Sequence, residues 1–263
     1  MTTLKLLAVT IGTLALFARC ATGAEPATRP AKGPQSPEHS ARLERVVERA
    51  SALIAADAGH AAAYQARAEA LFRLGRIDES VRDFDKAVAL APDAMPHNWQ
   101  RGLALYYAGR FDDGARQFER HKEVNPQDVE NAAWHFLCVA RREGPAKGPA
   151  AARAQLIPIE ADARVPLMKV QAMLAGRATP ADVLAAAAEG NPAAEDLNDR
   201  LFYAHLYIGL YYEALGDKAK AAEHVNLSAT KHAVDGYMGD VARVHAWWLA
   251  SGARPATQPA AGR

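Results

Sequence analysis

Trp99, Leu103 and Tyr106 fall at i, i+4 and i+7, an apolar stripe down one face of a single helix. Read the same way, with caps and breakers between them, most other segments predict helices too. Ser36-Pro37 can start one that runs to about Asp57. Asn131 to Arg142 forms another, carrying Trp134 and Cys138, and it breaks at Gly144-Pro-Ala-Lys-Gly-Pro149. Shorter helices follow at 149–157, at 165–175 with Pro166 in the first turn, and at 180–189. Thr179-Pro180-Ala-Asp182 gives the last of these a cap and a first-turn proline. Asp240 to Ala250 predicts a closing helix with Trp247 on its apolar side.

The pattern also repeats. Gly75 returns as Gly109, Phe84 as Phe118 and Pro92 as Pro126, each 34 residues on. At the same offset Leu71 matches Leu105, Arg76 matches Arg110, Asp78 matches Asp112, and Ala68 is replaced by Gly102. Thirty-four residues is the period of the tetratricopeptide repeat, a helix-turn-helix unit. The block Ala61 to Ala94 resembles that repeat at Tyr64, Ala68, Leu71, Gly75, Ser80, Phe84, Ala87 and Pro92. Each residue type has a mechanical reason. Ala68 or Gly102 lets the second helix come close, and Gly75 or Gly109 ends the first helix in a left-handed turn. Phe84 or Phe118 fills the wedge to the next unit, and Pro92 or Pro126 stops the second helix. Ile208, Gly209, Tyr212, Gly216 and Ala221 hold the matching places in a late unit, 202–235. The step from Gly109 to Gly216 is five residues more than three periods, so an irregular stretch intervenes.

The expected fold is therefore all-α: a tetratricopeptide-type solenoid of helical hairpins over 37–251, with an irregular helical middle and a C-terminal capping helix. Its repeats are placed at about 61–94 and 95–128, with a degenerate unit at 129–142 and the late one at 202–235.

The ends read differently. Lys5, an apolar run from Leu6 to Phe17 and the small-x-small site Thr22-Gly-Ala24 read as a secretory signal over 1–24. The run is shorter than the roughly 20 residues a membrane span needs. Cys20 offers a second version of export, lipid attachment, although Arg19 stands where that pattern has a small residue. Cleavage after Ala24 would remove Cys20 and leave Cys138 alone. Residues 25–36 and 252–263, rich in Pro and small side chains, read as extended linkers. The expected location is the periplasm or cell envelope.

Composition narrows the chemistry. Half of the residues are apolar, which excludes disorder over the whole chain. Lys plus Arg number 31 against 30 Asp plus Glu, so a net charge of +1 gives no electrostatic reason to expect nucleic acid. Neither a Gly-rich phosphate loop, a His-Glu-x-x-His helix nor a Gly-x-Ser-x-Gly elbow occurs. His224 and His232 stand eight apart with His205 on the partner helix, which is not the i, i+4 spacing of a helical metal site, and neither metal nor cofactor is expected. Cys138 with His135 could form a Cys-His pair, but between Leu137 and Val139 it reads as a small core residue.

Gly102-Leu-Ala-Leu-Tyr-Tyr-Ala-Gly-Arg110 resembles the second repeat of the bacterial outer-membrane tetratricopeptide lipoproteins known as new lipoprotein I. The late string Phe202-Tyr-Ala-His-Leu-Tyr-Ile-Gly-Leu-Tyr-Tyr-Glu-Ala-Leu-Gly-Asp217 and the order of the parts are similar too. That resemblance implies a scaffold without catalysis, often dimeric, that presents cell-wall hydrolases to a processing protease. Carried over place by place, the repeat's concave face falls on Gln65, Glu69, Phe72 and Arg73, then Trp99, Leu103, Tyr106 and Tyr107. Ala133, Leu137 and Arg141 of the degenerate unit follow, and then Tyr203, Leu206, Leu210 and Glu213 of the late one. Two outcomes are open for this stripe. Either it docks a protein or peptide, with Trp99 and Tyr106 as anchors and Arg73 and Arg141 orienting a carboxylate, or later helices fold back and bury it. The alternative function is an exported enzyme using Glu143, Glu160, Asp162, Glu189, Glu195 or Asp196, whose spacing suggests no acid–base pair. Self-association through 37–57 is compatible with either.

Overall fold

The computed structural model describes residues 33–252. The signal expected over 1–24, Cys20, most of the first linker and the tail after Gly252 lie outside the described residues. Among the described residues there are twelve α-helices and no strand, and no helix is long and apolar enough to cross a membrane.

Helix α1 (Pro37–Ala56) starts where the Ser36 hydroxyl accepts from the His39 amide, 3.2 Å away. Helices α2 (Ala61–Arg73) and α3 (Ile77–Leu90) form the first hairpin, α4 (Trp99–Tyr107) and α5 (Phe111–His121) the second. The two turns are copies. Gly75 has φ +79° and Gly109 has φ +74°, a region an L side chain enters only with strain. In each turn the glycine amide bonds back to the third residue before it, and the next amide to the fifth. Pro92 opens a 3-10 turn (Pro92–His97) that separates the hairpins.

Close approach explains the small residues. A Cβ on Gly102 would sit 2.6 Å from the Phe118 ring, so the ring lies directly over the α4 backbone. Phe84 and Phe118 are fully buried. Polar contacts repeat as well: Arg67 grips Asp83 with two bonds of 2.6 and 2.8 Å. Its counterpart 34 residues on, Arg101, reaches Gln117 at 3.0 Å and also grips Asp85.

The middle centres on α6 (Val129–Glu143), whose residues from Asn131 to Ala140 are all buried. Around it lie α7 (Gly148–Ala154), α8 (Leu167–Leu174) and α9 (Pro180–Ala188), the last started by a Thr179–Asp182 capping box. Pro166 caps α8 instead of standing in its first turn. The late hairpin pairs α10 (Ala194–Ala214) with α11 (Lys218–Ala229). Helix α10 begins well before 202, with Glu195 and Asp196 in its first turn, where carboxylates favour a helix start.

Helix α12 (Tyr237–Ser251) differs most from its expectation. It begins three residues earlier than Asp240, which brings in Tyr237, and its deeply buried tryptophan is Trp248. Trp247 is half-buried, with its ring 3.2 Å from the place of a Gly75 Cβ. The helix packs on α11 and runs along the inner face of the first helices.

Candidate functional site

The inner face is occupied by the chain itself. Phe72, Leu103, Tyr106, Tyr107, Ala133, Leu137, Leu206, Leu210 and Glu213 are buried, while Gln65, Glu69, Arg73, Trp99, Arg141 and Tyr203 are half-buried. The Phe72 ring stacks on Tyr237 at 6.1 Å, Trp99 meets the same ring edge-on at 5.1 Å, and Tyr107 meets Trp248 at 5.8 Å. Of the two outcomes the stripe left open, folding back describes most of it: Leu103, Tyr106 and Tyr107 are core, so Tyr106 is no anchor for a partner. The physical reason is that Phe111 of α5 and Trp134 of α6 close on Tyr106, while α12 brings Trp248 against Tyr107.

Two buried polar knots fix α12 there. Asp240 is 1% exposed and its carboxylate accepts from His39 (2.9 Å), Arg73 and Arg243. Arg243 also donates to Gln35, which donates in turn to the Arg73 carbonyl at 3.0 Å. Burial opposes ionisation of Asp240, but His39 and the two guanidinium groups outweigh it and hold the carboxyl below its usual range. Arg73 thus orients a carboxylate, as expected, but one from its own chain. In the second knot Arg141 donates to Glu213, and His245 Nε2 stands 3.1 Å from the same carboxylate. The Tyr107 hydroxyl shares a 2.8 Å bond with His245 Nδ1, and the Arg141 guanidinium lies 5.5 Å from the Trp248 ring centre. Burial works against the Glu213 carboxylate, and His245 and Arg141 more than offset it.

A cleft of about 230 Å³ stays open at the edge of this face. Trp99, Phe118, Trp134 and Met238 form its apolar walls. Its polar side is the start of α6, where Asp128 caps the helix by accepting from the Glu130 amide. Arg164 enters from the loop before α8 and donates to Asp128 and Asp162, at 2.7 Å each, and to Glu130. Burial pushes the Glu130 carboxyl up, partly offset by the Tyr207 hydroxyl, which donates to it at 2.6 Å, and by Arg164. Burial, then the negative charge of Glu130, pushes the nearby Tyr203 hydroxyl up to about 12. Asn131 donates to the Phe118 carbonyl at 3.0 Å. Its Oδ1 and the Trp134 Nε1 are buried with no partner among the described residues.

Residues 61–94 match the tetratricopeptide repeat family model. That stretch is α2, α3 and the start of the 3-10 turn. Among solved structures, the chain is similar to a tetratricopeptide repeat protein from Parabacteroides merdae ATCC 43184, with 15% identity, a TM-score of 0.44, and coverage of 81% of this chain and 80% of that one. No curated protein matches the chain.

Outside the matched repeat, the other candidate chemistry stays apart. His205 and His224 face each other with their Nδ1 atoms 2.9 Å apart, and His232 stacks on His205 at 5.3 Å. Burial and the neighbouring imidazoles push His205 down to about 4, so the trio is neutral hydrogen-bonded packing at neutral pH. Among the described residues, no group of His, Cys, Asp and Glu is placed to hold a metal ion. Cys138 is fully buried, which pushes its thiol up and keeps it protonated, and His135 faces Glu119 at 3.3 Å. Of the carboxylates of 143–200, Glu143 pairs with Arg142, Asp162 with Arg164 and Asp196 with Arg200. Asp128, Glu130, Asn131 and Arg164 were not singled out as site residues in the sequence. A signal was available, since Asp128 and Glu130 flank the start of the only helix that carries Trp134.

Proposed function

We propose that this protein is an exported, non-catalytic scaffold that docks another polypeptide at the edge of its helical stack, beside Trp99. The observation that carries this reading is the division of the aromatic stripe. Its Leu103–Tyr107 part is buried, with Tyr106 against Trp134 and Tyr107 against Trp248, while Trp99 touches Tyr237 yet is half-buried and still lines an open cleft. The tetratricopeptide match at 61–94 supports a protein-binding role. The signal-like residues 1–24 support export, by cleavage after Ala24 or lipid attachment at Cys20. The likeness of 102–110 and 202–217 to new lipoprotein I supports a cell-envelope setting. Self-association fits the same reading: Val46 and Leu53, seven apart on α1, are 38% and 49% exposed.

A photo-crosslinking amino acid placed singly at 99, 203 or 90 in the native host tests the docking edge. Leu90, exposed at the end of α3, serves as the control. The expected result is a discrete polypeptide adduct from 99 and 203 and none from 90. Failure of 99 and 203 to form any adduct, or equal labelling from all three positions, would contradict the reading.

A further inference from the structure

Three imidazoles meet where the late hairpin hands the chain on to α12. His205 lies on α10, His224 on α11, and His232 in the connector 230–236. His205 and His232 are buried and His224 is half-buried. The Nδ1 atoms of His205 and His224 stand 2.9 Å apart, so only one proton can lie between them. A second would set two N–H donors head to head. His232 stacks on the His205 ring within 8° of parallel, at 5.3 Å between ring centres. Its Nδ1 lies 3.2 Å from the Asn198 Oδ1 of α10, an acceptor, so that nitrogen already holds its proton.

The surroundings of the trio oppose positive charge. Lys231 of the connector bears on His205 and His232, and Lys220 of α11 on His224. Glu223 of α11 favours charge, but on His224 alone. From α10 come Asn198 and the Tyr212 ring, 5.7 Å from His224, and from α12 Arg243 reaches the Val234 carbonyl of the connector. Among the described residues, α6, α8 and α9 also pack on α10 but add no charge that bears on the three. Burial, then the two neighbouring imidazoles, pushes His205 down to about 4, and burial lowers His224 and His232 as well. An opened trio would take protons near the ordinary histidine value of about 6.5. Closure is therefore fully favoured above that pH and loses ground as pH falls towards the folded value.

We infer that His205, His224 and His232 form an acid-sensitive latch on the connector that leads into α12. Closed, the latch ties the connector to α10 through His232. The connector in turn seats the start of α12, where the Val234 carbonyl occupies the space that a Cβ on Gly239 would need. Opened by acid, the latch frees Tyr237, the ring on which Phe72 stacks and which Trp99 meets edge-on. Aromatic residues beside the docking edge are then uncovered. The latch goes beyond the scaffold reading and does not depend on it, because it is read at α12 itself.

The test is amide hydrogen exchange of the unmodified protein at pH 7 and pH 5, read as protection factors so that the intrinsic rate cancels. His205 alone, at about 4 when closed and about 6.5 when open, favours opening roughly twentyfold more at pH 5 than at pH 7. Protection of 237–244 should therefore fall at least tenfold, while that of 80–87 in α3 changes less than threefold. His205→Gln, neutral at both pH values, should cut the fall at 237–244 to a third or less. A side-chain ¹⁵N titration of the unmodified protein should show His205 still neutral at pH 5, and this measurement decides even if His205→Gln does not fold. A smaller fall at 237–244, an equal fall at 80–87, an undiminished fall in His205→Gln, or a His205 that titrates near its ordinary value would each overturn the inference.

Discussion

Replacing Asp240 with Ala should lower the thermal midpoint by about 6–12 °C. The substitution removes the carboxylate on which His39, Arg73 and Arg243 converge. Breaking a buried ion pair costs about 3–5 kcal/mol, because the partners are left unpaired. The lower value applies here, since His39, Arg73 and Arg243 each keep about a quarter of their side chains in water (20%, 25% and 26%) and can resolvate. Each kcal/mol shifts the midpoint of a domain this size by about 2–4 °C. The pH dependence has a definite sign. The folded Asp240 carboxyl lies below its ordinary value, so its stabilisation is complete above about pH 4 and is lost as pH falls through the folded value. Melting curves of the two proteins should therefore differ at pH 7 and converge in strong acid. Equal midpoints at pH 7 would show that the knot does not hold α12.

The repeat itself makes the second large prediction. Phe118→Ala should cost about 3–5 kcal/mol in urea unfolding, the range for emptying a buried aromatic site. Gly102→Ala alone should cost about 1–3 kcal/mol, because its Cβ would meet the ring at 2.6 Å. That is the reverse of helix propensity, which favours Ala over Gly by about 1 kcal/mol. In the Phe118→Ala background the ring is gone and propensity should win, so adding Gly102→Ala becomes neutral or stabilising. Additive costs would mean that ring and Cβ do not compete for the same space.

The hairpins were legible because their punctuation is local. Gly75 and Gly109, Pro92 and Pro126, and Phe84 and Phe118 each act within one unit, so a 34-residue offset exposes them. The irregular middle was legible as helices but not as packing: nothing near Trp134 says that α6 will be buried along its length. The destination of α12 was illegible for a different reason. Asp240 meets Arg73 across 167 residues and His245 meets Tyr107 across 138, and no periodicity links them. One clue was present. Asp240 and His245 share a helix surface with Val241, Val244 and Trp248, and a helix that closes a stack should keep its polar groups on the outside. A carboxylate and an imidazole among its apolar residues mark a helix inserted into a polar receptor. The same distance limit hid the edge cleft. Trp99 was recognised from its stripe, but Arg164 reaches Asp128 only because the loop before α8 folds onto the start of α6.

Backbone amide hydrogen exchange, resolved along residues 237–251 of the unmodified protein, bears most directly on whether the chain's last helix fills its own inner face. Amides of Val241 to Trp248 should exchange as slowly as those of Leu103 to Tyr107, since both sides of one interface open together. Rapid exchange of 241–248 while 103–107 stays protected would mean that the inner face stands without α12, and the account of a self-occupied stack with a docking edge would be wrong.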